Sequence, residues 1–258
     1  MDDSYQIYVN RVARMTLPEA YQSQVQHIQP SPKFQPSAGQ IQATPFPGYT
    51  VLTPPWVEDD KNTAFYQYLE HYQQQITAQL DPGVFFPVPP ASFHMTIADL
   101  IWDSAYRHAS ESSTFELDLQ HRVAQSLQKC PKGEKPIRWQ IMGLFLRTRA
   151  IGVCLAPSDE NSYERILQVR QAIYQNPDLI ALGIEQQYNF TAHVTLGYFG
   201  EAAATAERQQ ISQTLTTLSQ QALDVDAPPE IWVHRAELRK FDDMTRYYRE
   251  PDWAALDL

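Results

Sequence analysis

The chain is poor in the residues that form disulfides and structural metal sites. Only two of its 258 residues are cysteines, Cys130 and Cys154. They lack the spacing of zinc ligands and nothing indicates secretion, so we expect two buried free thiols in a reducing compartment. The sequence also lacks the basic and apolar regions of a signal peptide at its start, and it has no run of about 18 apolar residues. We therefore expect a cytoplasmic protein without a membrane-spanning segment.

Positive charge is scarce as well. Twenty lysines and arginines stand against thirty acidic residues, which gives a net charge of -10 and a sequence pI near 5.1. Binding to long nucleic acid regardless of its sequence depends on many Lys and Arg contacts to phosphates. This balance argues against DNA or long RNA as a partner, whereas a small anion could still bind to a local patch of donors. With 43% hydrophobic and 12% aromatic residues, the chain has the composition of a globular protein.

Two short strings that lie 99 residues apart share one pattern: apolar, His, apolar, Thr, apolar. They are Phe93–Ile97 and Ala192–Leu196. Successive side chains of a strand point to opposite faces, so each His shares a face with the Thr two positions later. The spacing alone is a weak signal, but both strings lie near the end of a strand-like run that follows a helix-like segment. If the two strands meet across a cleft, two imidazoles and two hydroxyls converge there, which suits acid-base chemistry on a phosphate ester.

The first 44 residues are interpreted as an N-terminal arm, and residues 45–258 as a single bilobal domain. In the arm, Thr16-Leu17-Pro18-Glu19 fits a capping box that begins a short helix. Seven prolines between residues 30 and 55 disfavour helix and predict an extended segment around the body.

Within the domain, hydrophobic periodicity predicts a repeated order of elements. The predicted order is strand 48–52, helix 59–80, motif strand 92–101, helix 115–127, hairpin 138–155, then helix 159–174, motif strand 189–199, helix 203–223 and a final hairpin 231–249. This imperfect duplication predicts an α+β class, with two antiparallel-rich sheets flanking a central cleft and helices on the outside.

Paired His-x-Thr strings on strands of a duplicated bilobal body resemble the 2H phosphoesterase superfamily. Its members include RNA 2′,3′-cyclic phosphodiesterases, 2′-5′ RNA ligase-like proteins and 3′ to 5′ RNA-trimming enzymes. The resemblance covers about residues 45–250, and the second string, which continues to Phe199, is the closer match. The first string departs from the family pattern at Asp99. Strict alternation predicts that Asp99 points away from the cleft, unless the strand ends there or Asp99 has a special partner.

The resemblance implies catalytic roles for His94, Thr96, His193 and Thr195, without a metal or another cofactor. One imidazole would act as the base and the other as the acid, and the Thr hydroxyls would bind the phosphate oxygens. A symmetric pair of motifs does not say which histidine is the acid. Because the unperturbed pKa of histidine lies near 6.5, we expect activity that is bell-shaped in pH near neutrality.

Candidates for substrate binding come from aromatic and basic residues near the motifs. Tyr198, Phe199 and Trp102 could stack on a base, and Phe199 is favoured because alternation places it on the face of His193. Arg239 represents a basic cluster between residues 235 and 249 that could bind a phosphate, although a solvated hairpin face is the competing interpretation.

These features predict a monomeric, metal-independent phosphodiesterase that acts on a 2′,3′-cyclic phosphate or a related linkage in a small nucleotide or RNA end. The alternative is a module that binds nucleotides or RNA ends without turnover. A scaffold whose Pro-rich arm recruits partners ranks last. Retention of all four motif residues favours the enzyme.

Overall fold

The computed structural model describes residues 2–37, 40–131, 133, 135–204, 206–223 and 228–258. In these ranges the helices are α1 (Tyr5–Met15), α2 (Pro18–Gln24), α3 (Thr63–Gln79), α4 (Asp103–Ala109), α5 (Phe115–Gln128), α6 (Glu160–Tyr174), α7 (Pro177–Ile180) and α8 (Arg208–Leu223). The strands are β1 (Phe34–Ser37), β2 (Gln40–Ala43), β3 (Gly48–Leu52), β4 (Phe85–Pro87), β5 (Thr96–Trp102), β6 (Arg138–Leu146), β7 (Ala150–Pro157), β8 (His193–Phe199), β9 (Ile231–Trp232), β10 (Arg235–Phe241), β11 (Tyr247–Tyr248) and β12 (Ala255–Asp257).

The strands form two five-stranded sheets and the separate hairpin β1-β2, and every described pairing is antiparallel. The first sheet has the order β11-β10-β3-β5, with β12 also paired to β10, and the second has the order β4-β8-β7-β6-β9. The α+β prediction with antiparallel sheets is thereby confirmed. Each sheet carries one motif strand, with β5 at the edge of the first sheet and β8 beside the edge strand of the second.

Periodic apolar residues account for the elements around the motif strands. All five residues of β3 are buried because this strand lies between β10 and β5. The buried stripe of α3 includes Phe65, Leu69, Tyr72 and Ile76, which are spaced as one helical face requires. At the start of α6, the Asp159 carboxylate accepts a hydrogen bond from the Ser162 N–H at 2.7 Å, as expected for an N-cap.

The N-terminal helices are part of the hydrophobic core. Tyr8 and Val12 of α1 are fully buried in the same core cluster as the sheets, and Tyr21 of α2 is also buried there. The predicted capping box is wrong: Leu17 is the N-cap of α2, and the Thr16 hydroxyl instead donates to the Ala13 carbonyl of α1 at 3.0 Å. The chain divides into two short helices here, because α1 already occupies residues that the prediction left outside a helix.

Near the C-terminus, the predicted final hairpin is only partly correct. Strand β9 pairs with β6 of the second sheet, whereas β10 pairs with β11 in the first, so the chain crosses between the sheets after Trp232. Cys130 and Cys154 are buried free thiols, as expected. Within the described ranges, no helix has the length and apolar character needed to span a membrane.

Candidate functional site

A pocket of about 360 Å³ brings the two motifs together. Its wall includes His94 and Thr96 from the first motif and His193 and Thr195 from the second. The two motif strands belong to different sheets and do not pair with each other. The convergence predicted from the spacing of the strings is therefore present in the structure.

Each histidine is held by the same local hydrogen bond. The Nδ1 atom of His94 lies 2.7 Å from the Ser92 carbonyl oxygen, and that of His193 lies 2.7 Å from the Thr191 carbonyl oxygen. A carbonyl oxygen only accepts, so each Nδ1 must carry the hydrogen. In the neutral imidazoles the lone pair therefore lies on Nε2, and the two sites share one tautomer.

Aromatic rings flank both imidazoles. The Tyr247 ring centroid lies 4.2 Å from that of His94, at an interplanar angle of 59°. The Phe145 ring meets the His193 ring edge to face at 5.2 Å. These contacts restrict ring rotation and remove water from one side of each imidazole.

The pocket favours neutral histidines in the ligand-free protein. Burial lowers the pKa of His94 to about 4, and the nearby Arg239 acts in the same direction. Burial and the Arg147 guanidinium lower the pKa of His193 to about 3, with smaller contributions from His94 and Lys33. The sequence argument started from an unperturbed imidazole, and the structure shows why that value does not apply here: each ring loses hydration and faces cations.

β-Bulges in β5 change which residues face the pocket. Thr50 pairs with Asp99 but the preceding Tyr49 pairs with Ile101, and a second irregularity follows Val51. Extra residues of this kind interrupt strict alternation. As a result Thr96, Asp99 and Trp102 all line the pocket at intervals of three.

The expectation that Asp99 points away from the cleft is therefore wrong, although its special partner exists. The Tyr188 hydroxyl donates to the Asp99 carboxylate. Burial raises the pKa of Asp99, while Lys33, Arg170 and Arg147 oppose that rise. The departure from the family pattern thus places a carboxyl group on the pocket wall.

A bulge in β8 likewise separates Tyr198 from Phe199. Gly152 pairs with Thr195 while Ile151 pairs with Gly197, which leaves Leu196 unopposed. Beyond it Tyr198 lines the pocket, whereas Phe199 is fully buried in the core. The prediction that Phe199 shares the face of His193 is wrong, and the cause is the lost alternation. Tyr198 and Trp102 do lie in the pocket wall.

Arg239 does not line the pocket, contrary to the sequence prediction. Its side chain is 1% exposed and donates to both Glu58 oxygens, at 2.8 and 2.7 Å, and to the Glu237 carboxylate. It also donates to the Tyr247 carbonyl at 3.1 Å, so it supports the residue that packs on His94. Neighbouring cations are paired as well: Lys240 with Glu116 and Arg235 with Glu237 and Asp257.

Several pocket residues were not identified from the sequence. They are Lys33, Arg147, Arg149, Tyr188 and Tyr247. None belongs to a motif, and they come from the N-terminal segment, the β6-β7 turn and two loops. Only the two arginines had a usable signal, because a hairpin before the second motif strand brings its turn to the end of that strand.

The N-terminal residues hold the segment that precedes the second motif. The Asp2 carboxylate accepts from the Phe190 N–H at 2.7 Å, and the Tyr8 hydroxyl accepts from the Ala192 N–H at 3.0 Å. Arg11 donates to the Thr191 hydroxyl at 2.7 Å. These bonds fix the backbone on both sides of the Thr191 carbonyl, which in turn orients His193.

The same clamp reaches the first motif strand through Arg170. Asp2 pairs with the Arg170 Nε at 2.8 Å, and both side chains are at most 4% exposed. Arg170 Nη1 donates to the Ile97 carbonyl of β5 at 2.6 Å. One buried ion pair therefore links both motif elements.

Metal ligation was tested against the donor sets in the structure. In the ranges described above, no three His, Cys, Asp or Glu side chains are grouped as metal ligands would be.

Comparison with known proteins places these observations in a family context. Residues 33–148 match a family model described as "2H-phosphodiest: Domain of unknown function (DUF1868)". The matched region contains the first motif and ends before the second. A search of curated proteins found no match.

Solved structures share the fold at low sequence identity. A conserved protein of unknown function from Agrobacterium tumefaciens, ATU0111, superposes with a TM-score of 0.57 at 15% identity, covering 89% of this chain and 96% of that chain. LigT from E. coli, solved with 3′-AMP, gives a TM-score of 0.44 at 16% identity, with 82% and 98% covered. Usb1 from Kluyveromyces marxianus, solved with uridine monophosphate, gives 0.42 at 14% identity, with 83% and 97% covered.

Proposed function

The chain belongs to the 2H phosphoesterase superfamily, and from that premise we propose that it hydrolyses a 2′,3′-cyclic phosphate or a related nucleotide phosphodiester without a metal. The observation that carries the proposal is the repeated arrangement of the two histidines. His94 and His193 are both bonded through Nδ1 to the carbonyl two residues before, and each is followed by a pocket threonine.

The proposed chemistry requires a proton acceptor and a proton donor in one pocket. One Nε2 removes a proton from water, which attacks the phosphorus, and the other imidazole, as imidazolium, protonates the departing ribose oxygen. Neither Thr96 nor Thr195 uses its hydroxyl in a hydrogen bond to another described residue. Both hydroxyls can therefore donate to the non-bridging oxygens as charge builds up there.

Proton balance adds a condition to this mechanism. The low pKa values leave both imidazoles neutral near pH 7 in the free protein. A bound phosphate anion raises the pKa of a neighbouring imidazole, because it stabilises the charged form. Binding should thus be coupled to the uptake of about one proton, which supplies the acid.

The low pKa values also favour the second candidate, a module that binds nucleotides or RNA ends without turnover. If neither imidazole gains a proton in the complex, the site has two bases and no acid. The pocket would then retain its affinity for a phosphate but could not expel the leaving group.

The decisive experiment uses chelator-treated protein and a panel of nucleoside 2′,3′-cyclic phosphates, 2′-5′ dinucleotides and RNA with a cyclic phosphate end. We expect turnover in the presence of chelator, and a loss of about 10²-fold or more in kcat for His94→Ala or for His193→Ala. His108→Ala is the matched control, because His108 is exposed and lies outside the pocket.

Two results would contradict the proposal. If the wild type and the double His→Ala variant are equally inactive while both still bind nucleotide, the binding module is correct. If chelator abolishes turnover, the metal-free mechanism is wrong.

A further inference from the structure

Two cations in the pocket wall, Lys33 and Arg147, have no carboxylate partner among the described residues. This sets them apart from cations elsewhere in the fold. Arg170 is paired with Asp2, and Arg239 with Glu58. A partly buried cation without a counter-ion is unfavourable unless a ligand supplies the charge.

Arg147 is oriented for a ligand by aromatic contacts alone. Its guanidinium carbon lies 5.4 Å from the Phe145 ring centroid and 5.8 Å from that of Tyr188. Its Nε is buried and has no hydrogen-bond partner in the described part of the chain. Burial also lowers the pKa of Arg147, as expected for a cation that lacks a partner.

Lys33 is presented in the same manner from the N-terminal segment. Its Nζ lies 4.4 Å from the Phe46 ring centroid and 5.0 Å from that of Tyr198. Both Lys33 and Arg147 lower the pKa of His193, so their charges act on the site of the proposed reaction.

The charges in the pocket exceed what one scissile phosphodiester requires. A cyclic phosphodiester carries one negative charge, which the protonated catalytic histidine balances. Lys33 and Arg147 add two positive charges, and Asp99 is the one carboxyl among the described lining residues. Even with Asp99 ionised, the occupied site keeps a net positive charge.

From this arrangement we infer that Lys33 and Arg147 form a subsite for a second, non-reacting phosphate of the substrate. The inference deepens the proposed function and rests on it. A pocket of about 360 Å³ is of the size that holds one nucleotide. On a ribose whose 2′ and 3′ oxygens carry the cyclic phosphate, the second phosphate is then attached to the 5′ oxygen.

The test compares kcat/KM for a nucleoside 2′,3′-cyclic phosphate with and without a 5′-phosphate, and for a dinucleotide that ends in a cyclic phosphate. The 5′-phosphate should raise kcat/KM about 10-fold or more, mainly through KM, because hydrogen bonds between charged groups are strong. The dinucleotide distinguishes a free 5′-phosphate from the 5′-linked phosphate of an RNA end.

Variants then assign the effect to the two cations. In Lys33→Met and in Arg147→Met the ratio of the two kcat/KM values should fall towards one, whereas Arg147→Lys should retain part of it. Lys61→Met is the matched control, because Lys61 also lies over an aromatic ring, 4.6 Å from the Trp232 centroid, but outside the pocket. A ratio near one in the wild type, or a ratio that the variants leave intact, would overturn the inference while the proposed function stands.

Binding keeps the two proposals separable if no substrate is turned over. Calorimetry with a nucleoside 3′-monophosphate and a nucleoside 3′,5′-bisphosphate measures the second phosphate without catalysis. The bisphosphate should bind about 10-fold more tightly or better, and this advantage should disappear in Arg147→Met. Equal affinities would overturn the subsite, and absence of turnover alone would overturn only the proposed reaction.

Discussion

Acidification should destabilise the ligand-free protein through its two pocket histidines. Their folded-state pKa values are about 4 for His94 and about 3 for His193, against about 6.5 in an unfolded chain. As the pH falls, the unfolded chain therefore takes up protons first. The stability that these residues contribute is present above pH 6.5 and is lost as the pH falls towards the folded values.

The magnitude follows from the two pairs of pKa values. At pH 5 each imidazole is almost fully protonated in the unfolded chain but mostly neutral in the folded one. Linkage then gives a loss of about 2 kcal/mol for each histidine, or about 4 kcal/mol together, relative to pH 7.5. This is a large part of the 5–15 kcal/mol by which domains are typically stable.

Urea unfolding at pH 7.5 and pH 5 measures this loss. The comparison protein is the double variant His94→Asn, His193→Asn, because an asparagine amide can still donate to the Ser92 or Thr191 carbonyl but does not titrate. The wild type should lose about 4 kcal/mol more than the variant between the two pH values. Since Asp99 and the other carboxyls are common to both proteins, equal losses would refute the assigned histidine pKa values.

Three further substitutions test other parts of the site. Thr96→Val and Thr195→Val should each lower kcat by about 10²-fold with a smaller change in KM, measured by steady-state kinetics; a change in KM alone would contradict a role in the transition state. Asp2→Ala should lower the free energy of unfolding by about 3–5 kcal/mol in urea, because it leaves a buried arginine without its partner; an unchanged midpoint would contradict the clamp. Tyr198→Ala should raise KM, whereas Phe199→Ala should instead cost about 3–5 kcal/mol of stability, and the reverse pattern would contradict the assigned faces.

Much of the fold could be predicted from the sequence because the signals were local. Strand β3 has the predicted bounds Gly48–Leu52, and α5 differs by a single residue from the predicted 115–127. Apolar periodicity alone places these segments. The convergence of the two motifs was also predictable, because the repeated order of elements places one motif strand in each half of the chain.

The errors concern the faces of strands and the partners of side chains. Alternation assigned Asp99 and Phe199 to the wrong faces because bulges arise from pairing between strands, which a single strand's sequence does not encode. Arg239 was a reasonable phosphate ligand by charge, but Glu58 comes from a distant part of the chain and neutralises it. The depressed histidine pKa values likewise depend on burial, which appears only in the folded protein.

The bulges in the motif strands also bear on how sites of this kind diverge. One unopposed residue after a motif leaves the histidine and threonine in place but exchanges the faces of every position beyond it. Two proteins with the same letters downstream of the motif could therefore present different side chains to a ligand. Ligand preference on such a scaffold can change through the register of a strand pair, without any substitution at the residues that contact the ligand.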